Sequence, residues 1–477
     1  NEGDRDTILM KAQGLTYGKS ILLKTINCTF SIGYYCAIMT WGVTNLEIHN
    51  CLFECKRRDA LSIFDATNAV IVNNTIINCR WGFEYWGGDN ITFSDNTLIN
   101  NDYGIEIYGG SSISIINNIL YNDSIHIYDC DFKSLRIEGN TINELPIETY
   151  NSIRDIKIEN LNVSELIILN SSNIVLRNVI GSVMISHSSS IELEDVLTRG
   201  FTDFGISLYY VNNIVIDQII VNGTDVMIEG SNITITNSYI EQSYFRLQPP
   251  GYGYTIAENY EIYGNTFKAV RFCFYSCYQY GTLLFYINNF IEVDIYSPSI
   301  NIHFHNGLYG NYWSDYIGND TNGDLIGDSP YYIDSDIADY YPLIVPVKKY
   351  PLNIYYLLAN WTTPENHIYI KVKVITNIRI ISVYVWYKIG NRTYITETIY
   401  DTVTDTYYTE IPRKDINEIK LIIETTDSPP TIESVTWTPK EPVEGENVTV
   451  LAQVSDDYGV SQVILSYYDE AWHNVTM

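Results

Sequence analysis

The sequence predicts an all-β protein in which a parallel β-helix of about 14 turns is followed by Ig-like β-sandwich domains. Three observations carry this prediction. Asparagine recurs about every 22 residues, apolar and polar residues alternate between these asparagines, and both patterns stop near residue 345. The predicted domains are therefore a β-helix over residues 1–345, a first sandwich over 346–427 and a partial second Ig-like domain over 428–477.

The repeated unit holds short alternating strands closed by asparagine, as in "GFEYWGGDNITFSDNTLINN" at 82–101. Alternation places Ile, Val and Leu on one face. So short a unit cannot bury that face alone, so the units must stack into a coil of about 65 Å at ~4.8 Å per turn. The rival, a Greek-key or jelly-roll protein, gives no constant spacing. The positions aligned as one corner are Asn27, Asn50, Asn74, Asn96, Asn118, Asn140, Asn160, Asn178, Asn237, Asn265, Asn289 and Asn311, with Asp195 and Gln218 in two further slots.

Composition favours an extracellular protein. The 477 residues carry a formal net charge of −29 and only 28 Lys and Arg, which argues against a nucleic-acid partner because phosphates need a basic surface. Eight cysteines and a large set of N-x-[ST] sequons fit a secreted glycoprotein. No run of 18 apolar residues is present, so we expect any membrane anchor to lie outside this stretch. The sequon asparagines are Asn27, Asn73, Asn90, Asn122, Asn162, Asn170, Asn222, Asn232, Asn319, Asn360, Asn391, Asn447 and Asn474.

Residues 310–334, "GNYWSDYIGNDTNGDLIGDSPYYID", break the repeat. The last turn of a β-helix exposes unpaired backbone and an open apolar core, which invites aggregation. Tyr312, Trp313 and Tyr316 are placed to close that end. We therefore predict a C-terminal cap over 310–343.

The same segment predicts a calcium loop, because oxygen-bearing residues stand at every second position. The loop is not an EF-hand, since its twelfth position is Tyr331 rather than Glu, and Asp334 or Asp336 is the candidate for the missing ligand. The alternative is an Asx-rich turn without metal. The expected ligands are Asp320, Asn322, Asp324, the carbonyl of Ile326, and Asp328.

The repeats together with "GNYWSDY", "DTNGDLIGDSPYYID" and "DYYPL" resemble the NosD-like β-helix proteins, a carbohydrate-binding and sugar-hydrolase type found in archaeal surface proteins. The resemblance covers about residues 30–345 and implies a right-handed coil. Its family name derives from the maturation of a copper enzyme. We expect no copper here, because the seven His are scattered and only His303 and His305 are close-set.

Two columns of residues are predicted on the outer face of the strands "GFEYW", "GIEIY", "SIHIY" and "PIETY". Paired carboxylates one turn apart repel unless a cation, a shared proton or a sugar compensates. Aromatic side chains beside polar groups are typical of sugar-binding surfaces, although stacked aromatics are also stabilising in themselves. The candidate glycan-binding residues are Glu84, Trp86, Glu106, Tyr108, His126, Tyr128, Glu148 and Tyr150.

The cysteines are predicted to pair between neighbouring turns. Cys28 and Cys51 each follow an aligned asparagine by one residue, while Cys55 and Cys79 follow by five. Equal slots on adjacent turns lie about 4.8 Å apart at Cα, which is within disulfide range. We expect disulfides Cys28–Cys51, Cys55–Cys79 and a weaker Cys273–Cys277, against the alternative of a ladder of buried thiols.

The last part of the chain is predicted to be unfinished. Residues 431–477 supply about half of the strands that an Ig-like sandwich needs. We expect that the natural protein continues past Met477, or else that a neighbouring subunit donates the missing strands.

These observations favour a non-catalytic extracellular surface glycoprotein: a component of a surface layer (S-layer), a filament or an adhesin. Its expected partners are copies of itself or other surface-layer proteins, with glycans along the β-helix. The alternative is a polysaccharide-degrading enzyme, a hydrolase or lyase, that uses the column of Glu84 and Glu106, since about 5 Å between carboxylates suits a retaining glycosidase. No catalytic residue is assigned in the leading interpretation.

Overall fold

The computed structural model describes sixteen stretches of the chain. They are residues 10–13, 23–31, 36–198, 204–248, 259–274, 282–296, 302–351, 354–363, 367–376, 378–390, 392–413, 416–425, 431–438, 449–455, 464–469 and 471–476. About 69% of the chain is strand. No α-helix occurs in these stretches, and Phe132–Ser134 forms a single 3₁₀ turn.

The strands fall into four groups along the chain. The first block comprises β1 (Met10–Gln13), β2 (Leu23–Ile26), β3 (Thr29–Ser31), β4 (Ile38–Trp41), β5 (Thr44–His49), β6 (Leu52–Glu54), β7 (Leu61–Val72), β8 (Thr75–Ile77), β9 (Trp81–Ser94), β10 (Thr97–Ile99), β11 (Tyr103–Tyr108), β12 (Ser111–Ile116), β13 (Ile119–Tyr121), β14 (Ile125–Asp129), β15 (Arg136–Glu138) and β16 (Thr141–Ile142). The second block comprises β17 (Leu145–Asn151), β18 (Arg154–Leu169), β19 (Ser172–Ser186), β20 (Ser189–Leu197), β21 (Phe204–Asp217), β22 (Ile220–Asn222), β23 (Asp225–Thr236), β24 (Tyr239–Glu241), β25 (Tyr244–Gln248), β26 (Asn259–Tyr263), β27 (Thr266–Lys268), β28 (Arg271–Phe274), β29 (Thr282–Tyr286), β30 (Asn289–Ile291), β31 (Asp294–Tyr296), β32 (Ile302–His303) and β33 (Tyr312–Trp313). A cap hairpin holds β34 (Tyr331–Tyr332) and β35 (Ala338–Asp339). The last group is β36 (Val347–Tyr350), β37 (Ile354–Thr362), β38 (His367–Ile375), β39 (Ile380–Ile389), β40 (Arg392–Glu397), β41 (Ile399–Asp401), β42 (Thr406–Pro412), β43 (Ile416–Thr425), β44 (Thr431–Thr438), β45 (Thr449–Ser455), β46 (Ile464–Asp469) and β47 (Ala471–Thr476).

The first two groups form a parallel β-helix of about 12 turns, fewer than the 14 expected. Strands one turn apart pair in parallel and in register, as in β4–β7–β9–β11–β14. Alternate residues of each strand point inward, so Ile38, Leu61, Phe83 and Ile105 lie fully buried above one another. The predicted stacking of alternating strands is therefore confirmed.

The coil is not continuous, which the sequence analysis did not foresee. β16 turns back and pairs antiparallel with β17, and β17 then pairs with β18 rather than with β14. The interruption separates the first block, with turns of about 22 residues, from the second block.

The two blocks contact each other through one sheet of the second block. Residues 163–169, 181–186 and 204–209 are buried without interruption. In β18, Leu166 and Ile168 face the core of the second block, whereas Ile167 and Leu169 join the core of the first. We call this contact of β14 with β18, β19 and β21 the joint.

Asparagine serves two roles at one corner, where a single role was predicted. One residue takes a left-handed backbone, as Asn73 does at φ 57°, and is exposed. The next, Asn74, is buried: its Oδ1 accepts from the N–H of Cys51 (2.9 Å), while its Nδ2 donates to the carbonyl of Ile48 (3.1 Å) and to Asn96 Oδ1 (2.9 Å). The buried ladder runs Asn74, Asn96, Asn118, Asn140 and resumes as Asn265, Asn288, Asn311. The predicted alignment mixed the two columns and chose Asn289 where Asn288 is the ladder residue.

A carboxylate ends the ladder at the cap. Asp339 Oδ2 accepts from the N–H of Asn311 (2.7 Å) and from Trp313 Nε1 (2.9 Å). Trp313 stacks on Phe290 below and on Tyr331 above, with ring centroids 4.4 Å apart in each case. Burial raises the pKa of Asp339 to about 6, despite these hydrogen bonds.

The chain divides into two compact units, the first ending at Ile344 and the second beginning at Val345, with residues 320–325 also belonging to the second. In the second unit, the sheet β36–β37–β38–β42–β41 and the sheet β40–β39–β43 are antiparallel. Ile370 and Ile411 of one sheet share a core with Val385 and Tyr387 of the other. β44–β45 and β46–β47 are separate hairpins, and the Ig-like classification stays a prediction.

Removal of one ladder side chain tests its contribution to stability. Asn118→Ala should lower the free energy of unfolding by about 3–5 kcal/mol, because the buried N–H of Asn96 and carbonyl of Phe93 lose their partners. Asn122→Gly, at an exposed corner with φ 52°, should cost under about 1 kcal/mol. Denaturant melts of both variants measure this, and equal losses would contradict it.

Candidate functional site

The predicted acidic column is present but buried. Ser62, Glu84, Glu106 and His126 lie above one another on β7, β9, β11 and β14, and their exposed fractions are 1%, 9%, 2% and 1%. These side chains point away from the core of the first block. The predicted outward direction is therefore right, whereas an open groove at these carboxylates is not what the structure shows.

Each carboxylate of the column is held by neighbouring donors. Ser62 Oγ (3.0 Å) and Trp86 Nε1 (2.8 Å) donate to Glu84. The hydroxyls of Tyr108 (2.9 Å) and Tyr128 (3.3 Å) donate to Glu106. These bonds offset repulsion between the two stacked carboxylates.

The surroundings of Glu84 favour the protonated form of its carboxyl group. Burial raises the pKa of Glu84, and the hydrogen bonds from Trp86 and Ser62 oppose this rise. His126 Nδ1 lies 3.6 Å from Glu106 Oε1. The column therefore combines two carboxyl groups and an imidazole in a nearly dry environment.

The aromatic column stacks ring on ring. Trp41, Phe64, Trp86, Tyr108 and Tyr128 follow one another with centroid distances of 4.9, 6.4, 4.0 and 4.4 Å and interplanar angles of 5–21°. Each inner ring covers the faces of its neighbours, so mainly ring edges are left to solvent. Trp86 is nevertheless 42% exposed, and glycan binding at this column stays a prediction.

Glu148 and Tyr150 do not belong to these columns. They lie on β17, whose partner is β18, so the break in the coil removes them from the slot above His126 and Tyr128. Glu148 is opposite Leu166, and Tyr150 packs against the core of the second block.

The structure adds residues that sequence reasoning missed. Glu165 is buried in the joint, where its carboxyl accepts from the N–H of Ile125 and faces His126. Phe204 contacts the ring of His126 edge-on at 5.3 Å, and Tyr209 contacts Tyr128 in the same way at 4.9 Å. The signal for this region was "LIIL" at 166–169, because a strand without alternation is buried on both faces.

Two cysteines stand one turn before the first asparagine of a polar ladder. The backbone N–H of Cys51 donates to Asn74 Oδ1 (2.9 Å), and that of Cys79 donates to Asn101 Oδ1 (2.8 Å). The thiol of Cys51 donates to the carbonyl of His49 (3.2 Å), and that of Cys79 to the carbonyl of Ile77 (3.3 Å). Burial and the neighbouring Cys28 raise the pKa of Cys51, and the neighbouring Cys79 together with burial raises the pKa of Cys55. The structure holds them, and Cys273, as free thiols, while Cys277 lies outside the described residues. The disulfides stay a prediction.

The sequon asparagines share one environment. Every one with a described side chain is exposed, whereas the ladder asparagines, such as Asn74 and Asn96, are buried and lack the sequon. Asn391, Asn447 and the side chain of Asn474 lie outside the described residues. The exposed set is Asn27, Asn73, Asn90, Asn122, Asn162, Asn170, Asn222, Asn232, Asn319 and Asn360.

In the predicted calcium loop, the carboxylate of Asp320 accepts hydrogen bonds from backbone N–H groups of the same loop. Asp320 Oδ1 accepts from the N–H of Gly323 (2.7 Å), and its Oδ2 accepts from that of Leu325 (2.9 Å). Asn322 Oδ1 accepts from the N–H of Asp324 (3.0 Å). Across the described stretches, no three His, Cys, Asp or Glu side chains are placed to hold a metal ion. The calcium loop, whose expected ligands include an amide and a backbone carbonyl, stays a prediction.

The comparison with known proteins agrees with the fold. Residues 23–120 match the family model described as a right handed beta helix region, and no curated protein matches the chain. The match runs from β2 into β13 and supports a right-handed coil. None of the described residues form a helix long and apolar enough to span a membrane.

The calcium expectation is tested by chelation. Calcium that binds the folded loop at 100 times its dissociation constant adds about 2.7 kcal/mol to the free energy of unfolding. EGTA should then lower the melting temperature of the wild type but not that of Asp320→Asn combined with Asp324→Asn. An unchanged wild-type melt in EGTA would contradict calcium binding.

The cysteine prediction concerns the oxidised protein. Non-reducing peptide mapping should find Cys28 linked to Cys51 and Cys55 linked to Cys79, since the two cysteines of each pair are neighbours on adjacent turns. Each bond closes a loop of 23 or 24 residues and should add about 3 kcal/mol. A link between Cys36 and Cys55, or free thiols after full oxidation, would contradict the pairing.

Proposed function

We propose that this chain is a non-catalytic extracellular surface glycoprotein, part of a surface layer, a filament or an adhesin, in which the β-helix is a stiff carrier. The observation that supports this most is the closed state of the acidic column. A glycosidase needs its carboxyl groups in contact with the glycosidic oxygen and the anomeric carbon. Glu106 is 2% exposed and accepts hydrogen bonds from two tyrosines.

The distribution of asparagine supports the glycoprotein part of this proposal. A ladder asparagine donates both Nδ2 hydrogens, as Asn96 does to Ile71 and Asn118, and leaves none for a sugar. An exposed corner asparagine such as Asn90 donates to Asn68 Oδ1 and keeps a second hydrogen. Modification at such a corner is therefore compatible with the fold, whereas Asn232 donates to both Asn212 and Asn213 and would lose one of these bonds. We propose copies of this chain or other surface proteins as partners.

One observation favours the alternative, a polysaccharide hydrolase or lyase. Burial raises the pKa of Glu84, which lies one turn from Glu106, and a carboxyl with a raised pKa is the kind of group that acts as a general acid. In that function the column would have to open before a glycan could reach it.

Assays on a panel of polysaccharides separate the two functions. We expect no turnover by the wild type, and glycopeptide mapping should find sugar only on exposed sequons. Trp86→Ala should lower the free energy of unfolding by about 1–3 kcal/mol, because the ring stack is structural. Tyr121→Ala is the matched control: Tyr121 is about as exposed as Trp86, at 37% against 42%, but has no place in the ring stack and should cost less.

Two results would overturn the proposal. The first is polysaccharide cleavage that Glu84→Gln or Glu106→Gln abolishes while the melting temperature is retained. The second is a native protein without any sugar at these sequons.

A further inference from the structure

The joint between the two blocks contains ionisable groups that no part of the proposed function uses. Its apolar contacts are formed by Ile167, Leu169 and Met184 of the second block, which lie in the core of the first. Among them sits Glu165, which is 3% exposed. An acidic side chain at the centre of an apolar contact is costly in its charged form.

Glu165 lacks the donors that an ionised carboxylate needs. Ile125 donates its N–H to the carboxyl, but Oε2 has no hydrogen-bond partner among the described residues. The contrast with Glu106 is direct, because Glu106 has two phenol donors and the His126 ring beside it. The surroundings of Glu165 in the joint therefore favour its neutral, protonated form.

We propose that the joint is a pH-sensitive contact, closed while Glu165 carries a proton and loosened when Glu165 ionises. The inference rests on the geometry of the joint and is independent of the proposed surface role. Burial raises the pKa of Glu165 to about 7, and attraction to His126 only partly opposes this.

Other charged groups near the joint also affect how its stability depends on pH. Glu106 and His126 approach from the first block, and Asp225, Glu229 and Arg246 lie on the same sheet of the second block as Glu165. Arg246 pairs with Asp225 at 2.8 Å. Arg246 therefore has its own carboxylate partner on that sheet.

At the rim, His187 Nε2 lies 3.7 Å from Asp129 Oδ1. Burial lowers the pKa of His187, so its contribution is present above about pH 6.5 and is lost as the pH falls. This rim effect has the opposite slope to that of Glu165.

The sign for Glu165 follows from linkage. A carboxyl whose pKa is raised in the folded state binds its proton there while the unfolded chain has lost it. Stability from this group is complete below about pH 4.5, its ordinary pKa, and declines until about pH 7. The shift corresponds to a change on the order of a hundredfold in the folding equilibrium constant.

The experiment compares thermal melts of the wild type, Glu165→Gln and Glu192→Gln from pH 4.5 to 8. Glu192 is exposed on β20 and serves as the matched control. Glu84 and Asp339 also have raised pKa values, so the difference between variants is the measured quantity. Glu165→Gln should lose the part of the decline that Glu165 contributes, on the order of a hundredfold in the folding equilibrium constant, whereas Glu192→Gln should keep it. Parallel curves for all three proteins would overturn the proposal.

A second measurement localises the effect and does not depend on a variant that folds. Amide hydrogen exchange of the wild type, corrected for its intrinsic pH dependence, should show residues 125–129 and 165–169 losing protection between pH 5 and 8. Residues 283–290, far along the second block, should keep theirs. Equal behaviour of the two regions would show that Glu165 does not control the joint.

Discussion

In-register parallel stacking is the constraint on which the rest of this structure depends. Each residue of a β-helix faces the residue one turn away in the same slot, so every column must tolerate its own repetition. Asparagine does so because its amide donates upward and accepts from below, as Asn96 does between Asn74 and Asn118. Flat aromatic rings also do so, as in Trp86 on Tyr108.

Stacked carboxylates are the exception, and the chain limits them. The acidic column holds two glutamates in succession, with Ser62 on one side and His126 on the other. Each glutamate takes a donor two residues ahead on its own strand, Trp86 or Tyr108. The aromatic column thus stabilises the acidic column, whether or not a sugar also binds there. Both columns end at β14, because β17, which would carry the next residues, pairs with β18 instead.

The fold could be predicted further from sequence than the site could. Spacing and alternation predict parallel strands because they report which face is buried. They do not report what lies beyond that face, so Glu84 and Glu106 could be placed on the outer face of the strands but their burial there could not be predicted. The alignment extended the columns to Glu148 because the repeat continues, whereas the hairpin at β16–β17 is set by local backbone pairing that the period does not encode. Asn73 and Asn74 stand side by side, so spacing alone cannot separate the left-handed corner from the buried ladder.

The joint places two packing constraints on one strand, β18. β18 has to satisfy two cores, and its run of buried residues leaves no room for a polar side chain except where a specific contact accepts it. Ser164 donates to the carbonyls of Leu145 and Pro146, and Glu165 lies against β14, the last strand of the first block to carry both columns. A change at Glu165 would thus reach the column of Glu106 through His126, which touches both the carboxylate of Glu106 and the ring of Phe204. His126 therefore belongs both to the acidic column and to the joint.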